Sequence, residues 1–312
     1  MINTGSFAIF QFSIDNHSLS VIEADGTVVQ PTSIHRLEIA VAQRYSVIFH
    51  ANQTASNYWM RAEMNTFCFA VDNPVLNPEV MALVTYTNDT AAPTLSSDWA
   101  EALDVSCIDL DVASMVPTAV EEAPPPDLVF GLTTSFQIGA YQLDRAYVNG
   151  TSWSMPEVPT LNQAVTGLKA GNSNFSTPGV SAAFSSNQFV IDIPRESVVD
   201  LVILNFDDGS HPFHLHGHVF WILEDSDQQY FNWTTYNTFN TTITNPMRRD
   251  TMTIQAYGHV LIRFRADNPG LWAFHCHISW HMEAGLLMQF QTRDDIMADW
   301  TLPADVLALC PA

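Results

Sequence analysis

Short runs rich in β-branched and aromatic residues, broken by turn-forming residues, recur along this chain: Phe7 to Ile14, Leu37 to Val41, Tyr45 to Phe49, Phe189 to Ile193, Val198 to Leu204 and Val260 to Phe264. Runs of that length and spacing read as strands, and a chain built from them is an all-β sandwich or barrel. Helical periodicity is absent apart from a short helix expected near Ile296 to Leu309. At 312 residues the chain has room for two such units. The natural divide is Val-Pro-Thr-Ala-Val-Glu-Glu-Ala-Pro-Pro-Pro-Asp at residues 116–127, a stiff and extended composition. The expected units are therefore residues 1–115 and 128–312, joined by a proline-rich linker at 116–127.

Lys and Arg total 11 against 33 Asp and Glu, a net charge of −22 that repels phosphate backbones and anionic lipid. Nucleic acid is excluded as a partner on that ground. No apolar run approaches the roughly 18 residues of a membrane span, and no signal peptide is visible at Met1. Asn-x-Ser/Thr sequons at Asn16, Asn52, Asn88, Asn149, Asn174, Asn232 and Asn240 nonetheless point to the secretory route.

Histidine is distributed unevenly. Most of it lies in two tight clusters, His211-Pro-Phe-His214-Leu-His216-Gly-His218 and His275-Cys276-His277-Ile-Ser-Trp-His281. Imidazole and thiolate at this spacing suit Cu or Zn. Alternate side chains of a strand face opposite ways. If 275–277 is a strand, His275 and His277 face one side and Cys276 the other, so one tripeptide serves two sites. His214 and His216 share a face, and His211 has the parity to join Cys276. His281, beyond the strand, completes a His-Cys-His set of the blue-copper type. His17, His35, His50 and His259 are scattered and read as structural.

These clusters resemble the C-terminal copper motifs of multicopper oxidases, particularly fungal laccases and conidial-pigment oxidases. The likeness extends through Met247-Arg248-Arg249-Asp250-Thr251, Asp267-Asn268-Pro269-Gly270-Leu271-Trp272 and Ala42-Gln43-Arg44-Tyr45. The resemblance implies two Greek-key cupredoxin-like domains, the family's second and third. It makes His211, Cys276 and His281 the type 1 copper ligands, with Leu286 at the non-coordinating axial position. His214 becomes a type 2 ligand and His216, His275 and His277 type 3 ligands, while His218 supports them by hydrogen bonding. Electrons from a phenolic or aromatic substrate would enter at the type 1 site and pass through Cys276 to His275 and His277. Four of them would reduce O2 to water.

The family places a carboxylate of its second domain near a type 1 histidine, and the matching stretch Val21-Ile22-Glu23-Ala24-Asp25-Gly26 nominates Asp25, then Glu23. The stretch Gln228 to Met247, which carries no carboxylate, and Trp153 suit an organic phenol better than Fe(II). Ser279 stands where several relatives have a carboxylate, which puts proton relay through that position in doubt. The two His-x-His motifs of the family's first domain have no counterpart here. The expectation is that the chain begins inside the second domain, lacks the first and is inactive alone. By the same resemblance Cys68 pairs with Cys107, Cys276 binds copper and Cys310 is left over. The parent protein is expected outside the cell or in its wall. A ferroxidase-type metal oxidase and a non-catalytic type 1 copper electron-transfer protein are the alternatives.

Overall fold

The computed structural model describes residues 1–86, 88, 90–99, 107–138, 143–226, 228–236 and 243–309. Residues 10–85 supply two small antiparallel sheets. One runs in the order Arg36–Ile39, Phe10–Ile14, Asn57–Met64 and Glu79–Thr85; the other is Thr27–Ile34, Leu19–Ala24 and Tyr45–Phe49. Leu37, Ile39, Val21, Ala24 and Tyr45 alternate inward to fill the space between them.

Residues 128–292 build a larger sandwich of two six-stranded sheets. The first centres on Val198–Asn205, which pairs antiparallel with His259–Arg265 and parallel with Leu128–Ile138. Both faces of this strand are covered, which explains why it is apolar on both sides apart from Asp200 and Asn205. Its one acidic residue, Asp200, receives the buried guanidinium of Arg263. The second sheet brings Val190–Ile193, Leu287–Thr292, Gly270–Cys276, His211–Leu215 and Thr251–Ile254 side by side. Phe213, Phe274, Met288 and Phe290 from this sheet meet Leu201, Ile203, Ile262 and Phe264 from the other in one continuous core.

The helical expectation needs correction. In place of one helix at Ile296 to Leu309 there are two short ones, Asp294–Met297 and Ala304–Leu309. Pro303 lies between them, where it supplies no N–H to continue the first. A longer helix, Thr160–Lys169, escaped the sequence reading. Its Thr and Gly residues have low propensity, and it is held by packing of Ala164 and Val165 against Phe175, Phe184 and Met297.

The proline-rich stretch is strapped down along its length. Glu122–Ala123 pairs with Ile243–Thr244, Thr118 N–H donates to Val28 O, and Arg248 and Arg263 donate to the carbonyls of Ala119 and Pro124. Cys68 and Cys107 form a disulfide across a separation of 39 residues; Cys310 lies outside the described residues. Closing a loop of that length stabilises by about 4 kcal/mol in the chain-entropy model. Urea unfolding with and without reductant is expected to show a loss of that order, and an unchanged midpoint would show that the bridge does not form in solution.

Candidate metal centre

Strand pairing sets the site. His211–Leu215 lies between Gly270–Cys276 and Thr251–Ile254, with Phe213 opposite Cys276 and His214 opposite His275. The period of two then sends His211 and Cys276 to one side and His214 and His275 to the other. Gly217 ends the first motif at φ +68°, and a Cβ there would come within 2.4 Å of the Trp272 ring, so no other residue fits. His281 rides on the short helix Ser279–Glu283. Ser279 N–H donates to Ser6 O, and Leu286 N–H to His281 O, fixing both ends of the turn.

The ligand atoms of His211, Cys276 and His281 all lie within 4.8 Å of one another, the only such trio among the described residues. Sγ of Cys276 is 3.8 Å from His211 Nδ1 and 3.6 Å from His281 Nδ1, and the two nitrogens are 3.0 Å apart. His211 Nε2 sits 3.0 Å from Asp207 Oδ2. Donation to that carboxylate leaves Nδ1 with its lone pair toward the thiol, the tautomer being assigned from its partner. Burial pushes the Cys276 thiol up, and burial together with neighbouring His211 pushes His281 down to about 4. Two imidazole nitrogens and a thiol, which gives up its proton when it binds a metal, converge on one largely buried point, so this set fits a soft cation such as copper. Leu286, fully buried, contributes its carbonyl to Cys276 N–H and only carbon to the site.

The remaining imidazoles gather on the opposite side. His216 Nε2 and His275 Nε2 are 3.0 Å apart, and the His214 ring lies 4.9 Å from that of His216 and 6.0 Å from that of His277. His275 Nδ1 donates to Cys276 O and His214 Nδ1 to Asp250 O, so both carry their lone pair on Nε2, that of His275 facing His216. Burial first, then the neighbouring imidazoles, pushes His275 down to about 4. His216 is exposed. His218 donates through Nδ1 to His216 O, holding the turn. The other histidines lie elsewhere: His17 on Asp15 O, His259 between Gln229 O and Glu224, His35 stacked on Trp99, and His50 exposed.

Asp25 requires correction. Its side chain is inaccessible: Oδ2 receives Arg249 Nε at 2.7 Å and Oδ1 receives Arg44 N–H at 2.8 Å. No surface is left on which it can meet a substrate. Glu23 is half-buried and accepts from Gly26 N–H and Ser46 Oγ. The carboxylate that does touch a type 1 candidate is Asp207, which sequence reasoning passed over. Burial works against its charge, but the hydrogen bond and charge of His211 hold its carboxyl below the usual carboxylate range. Its only signal was an acidic turn four residues before His211. Phe136 was also missed; its ring stacks on His211 at 5.5 Å and meets His281 edge-on at 4.8 Å. Part of the neutral Gln228 to Met247 stretch, residues 237–242, lies outside the described residues.

Two β-sandwich units and a buried His-Cys-His trio define a copper protein of the cupredoxin class. Profiles of the multicopper oxidase family match residues 1–89 and 152–295. The chain belongs to the multicopper oxidase family, whose cofactor is copper. It is 36% identical to "Iron multicopper oxidase fer1" of Mycosarcoma maydis, over 96% of this chain and 46% of that protein. It is 33% identical to "Laccase-1" of Pleurotus ostreatus, over 97% of this chain and 52% of that one. Among solved structures, Fet3p, a "Multicopper Oxidase that Functions in Iron Import", superposes with a TM-score of 0.86 at 28% identity, over 99% of this chain and 58% of that one. The laccase from Botrytis aclada gives 0.82 at 29%, over 99% and 53%. The chain thus spans about half the length of the curated relatives it matches.

Proposed function

We propose that the complete protein is a laccase-like oxidase, which takes single electrons from a phenolic or aromatic reductant and reduces O2 to water. The observation that carries this reading is the covalent link between the two histidine groups: Cys276 belongs to one and its chain neighbours His275 and His277 to the other. His211, Cys276 and His281 would hold type 1 copper, His214 type 2, and His216, His275 and His277 the type 3 pair, with a further cupredoxin domain supplying the remaining ligands. Bound copper supplies the one-electron redox chemistry.

The residues around it do the rest. Asp207 fixes the His211 tautomer and offers Oδ1 to a phenol hydroxyl. Phe136 shields the imidazoles from water, while exposed Trp280 beside His281, and Phe206 with Tyr230 beside Asp207, provide apolar surface for a ring. Leu286 would offer only carbon to a copper held by the trio, which would favour its reduced state. Oxidation of Fe(II) is the second reading, favoured by the same carboxylate and by the net charge of −22. The complete copper-loaded protein is expected to show a higher kcat/KM for phenols than for Fe(II). Asp207→Asn is expected to lower the phenol value roughly 10- to 100-fold, as loss of a ligand's hydrogen-bond partner does. An iron preference would reverse the assignment.

We also place the parent protein outside the cell. Asn52, Asn88 and Asn174 are exposed sequons, whereas Asn149 uses both ends of its amide, accepting from Thr133 N–H and donating to Gly131 O. No described helix is long and apolar enough to cross a membrane.

A further inference from the structure

An imidazole ligates through one nitrogen only if the other is held as a donor, so whatever holds the acceptor decides the ligand. For His214 that acceptor is the backbone carbonyl of Asp250, 2.9 Å from Nδ1, which also accepts Leu215 N–H at 3.0 Å. Asp250 has no strand of its own. It is the corner between Arg248–Arg249, paired in one six-stranded sheet, and Thr251–Ile254, paired in the other. One backbone hydrogen bond, from Leu215 N–H, carries the ladder as far as its carbonyl, but no ladder bond fixes its side chain.

Side chains from the N-terminal sheets do. The Arg44 guanidinium grips Asp250 as a fork, NH1 to Oδ1 and NH2 to Oδ2, both at 2.6 Å. Arg44 is itself anchored, its N–H on Asp25 Oδ1 and its NH1 on Ala42 O. The same Asp25 holds Arg249, the residue before the corner. Thr251, the residue after it, donates its hydroxyl to Asp250 Oδ1 and lies 3.0 Å from His214 Nδ1. Arg44 and Asp25 thus clamp two successive residues of the corner with crossed ion pairs. We propose that Arg44 is a positioning residue for His214: by fixing the Asp250 corner it holds Nδ1 as donor and presents Nε2 to the metal, so the N-terminal sheets shape a ligand they do not contain. A bidentate Arg–carboxylate pair is suited to this because it sets an angle as well as a distance.

The proposal rests on reading His214 as a ligand, and two measurements on the full chain separate them. The first uses the copper-free chain with 15N-labelled histidine and long-range 15N–1H correlation. Wild-type His214 is expected to show a protonated Nδ1 and a bare Nε2, and Arg44→Met to average the two shifts. The second is Cu(II) titration followed by EPR, in which the non-blue copper of Arg44→Met is expected to bind about 10-fold more weakly, with the blue band of the His211–Cys276–His281 set unchanged. Arg44→Lys, which keeps the charge but not the fork, is expected to fall between; it decides the matter if Arg44→Met does not fold. An unmoved His214 tautomer in a folded variant overturns the proposal. So does loss of the blue band in step with the tautomer, which would mean that Arg44 supports the fold in general. A shifted tautomer with unchanged Cu(II) affinity supports the clamp while overturning His214 as a ligand.

Discussion

Replacing Cys276 with Ser is expected to abolish the intense blue absorption of the copper-loaded chain and leave its β-sheet circular dichroism intact. The absorption belongs to the copper–thiolate bond, and Cys276 is the free cysteine among the described residues. The substitution is close in volume and sits where the side chain is fully buried among apolar neighbours. Its hydroxyl would face the His211 and His281 nitrogens that lie 3.8 and 3.6 Å from Sγ, not carbon alone, so the fold loses little. Loss of colour should therefore be complete while the unfolding midpoint moves only slightly. A wild-type chain that is folded, loaded and oxidised yet colourless would defeat the assignment of all three ligands.

The second large effect is on stability. Arg249 and Asp25 are both fully buried, and the Arg249 guanidinium also donates to Tyr45 Oη at 2.9 Å and stacks 5.0 Å from the Tyr45 ring centroid. Asp25→Ala leaves the buried guanidinium with no carboxylate nearer than Asp109 at 4.0 Å, and breaking a buried pair in this way costs about 3–5 kcal/mol. The double variant Asp25→Leu, Arg249→Met removes both charges and is expected to recover much of that loss. Urea unfolding of the three proteins measures the difference. Equal losses in the single and double variants would show that packing, not the stranded charge, sets the cost. This role differs from the sequence expectation for Asp25, a carboxylate placed near a type 1 histidine.

The Arg249 pair links residues 224 apart in sequence, which is why no local reading could find it. Glu23-Ala24-Asp25-Gly26 looks like any acidic turn, and only the packing of the N-terminal sheets against the Arg248–Thr251 corner turns Asp25 inward. Asp207 shows the reverse case. Its spacing from His211 was visible, but a turn residue can point anywhere, and the carboxylate meets the imidazole only because Gly209 N–H and Asn205 Oδ1 fold the turn back. The Thr160–Lys169 helix was hidden because its own residues favour it weakly, and distant Phe175 and Met297 decide for it.

What the sequence alone determined is the division of labour within the histidine clusters. Strand parity is a property of the backbone, so His275 and Cys276, the last two residues of their strand, had to face opposite sides whatever they packed against; His277 lies just past the strand end, with its ring 5.5 Å from that of His275. Direction within the site was tertiary. Which nitrogen of His211 or His214 carries the proton depends on acceptors at Asp207 and Asp250, and a carboxylate or carbonyl is aimed by contacts that sequence separation does not reveal. The side of the strand that each candidate ligand takes follows from period-two geometry over a few residues; the direction of its nitrogens follows from hydrogen bonds between elements that only the packed fold brings together.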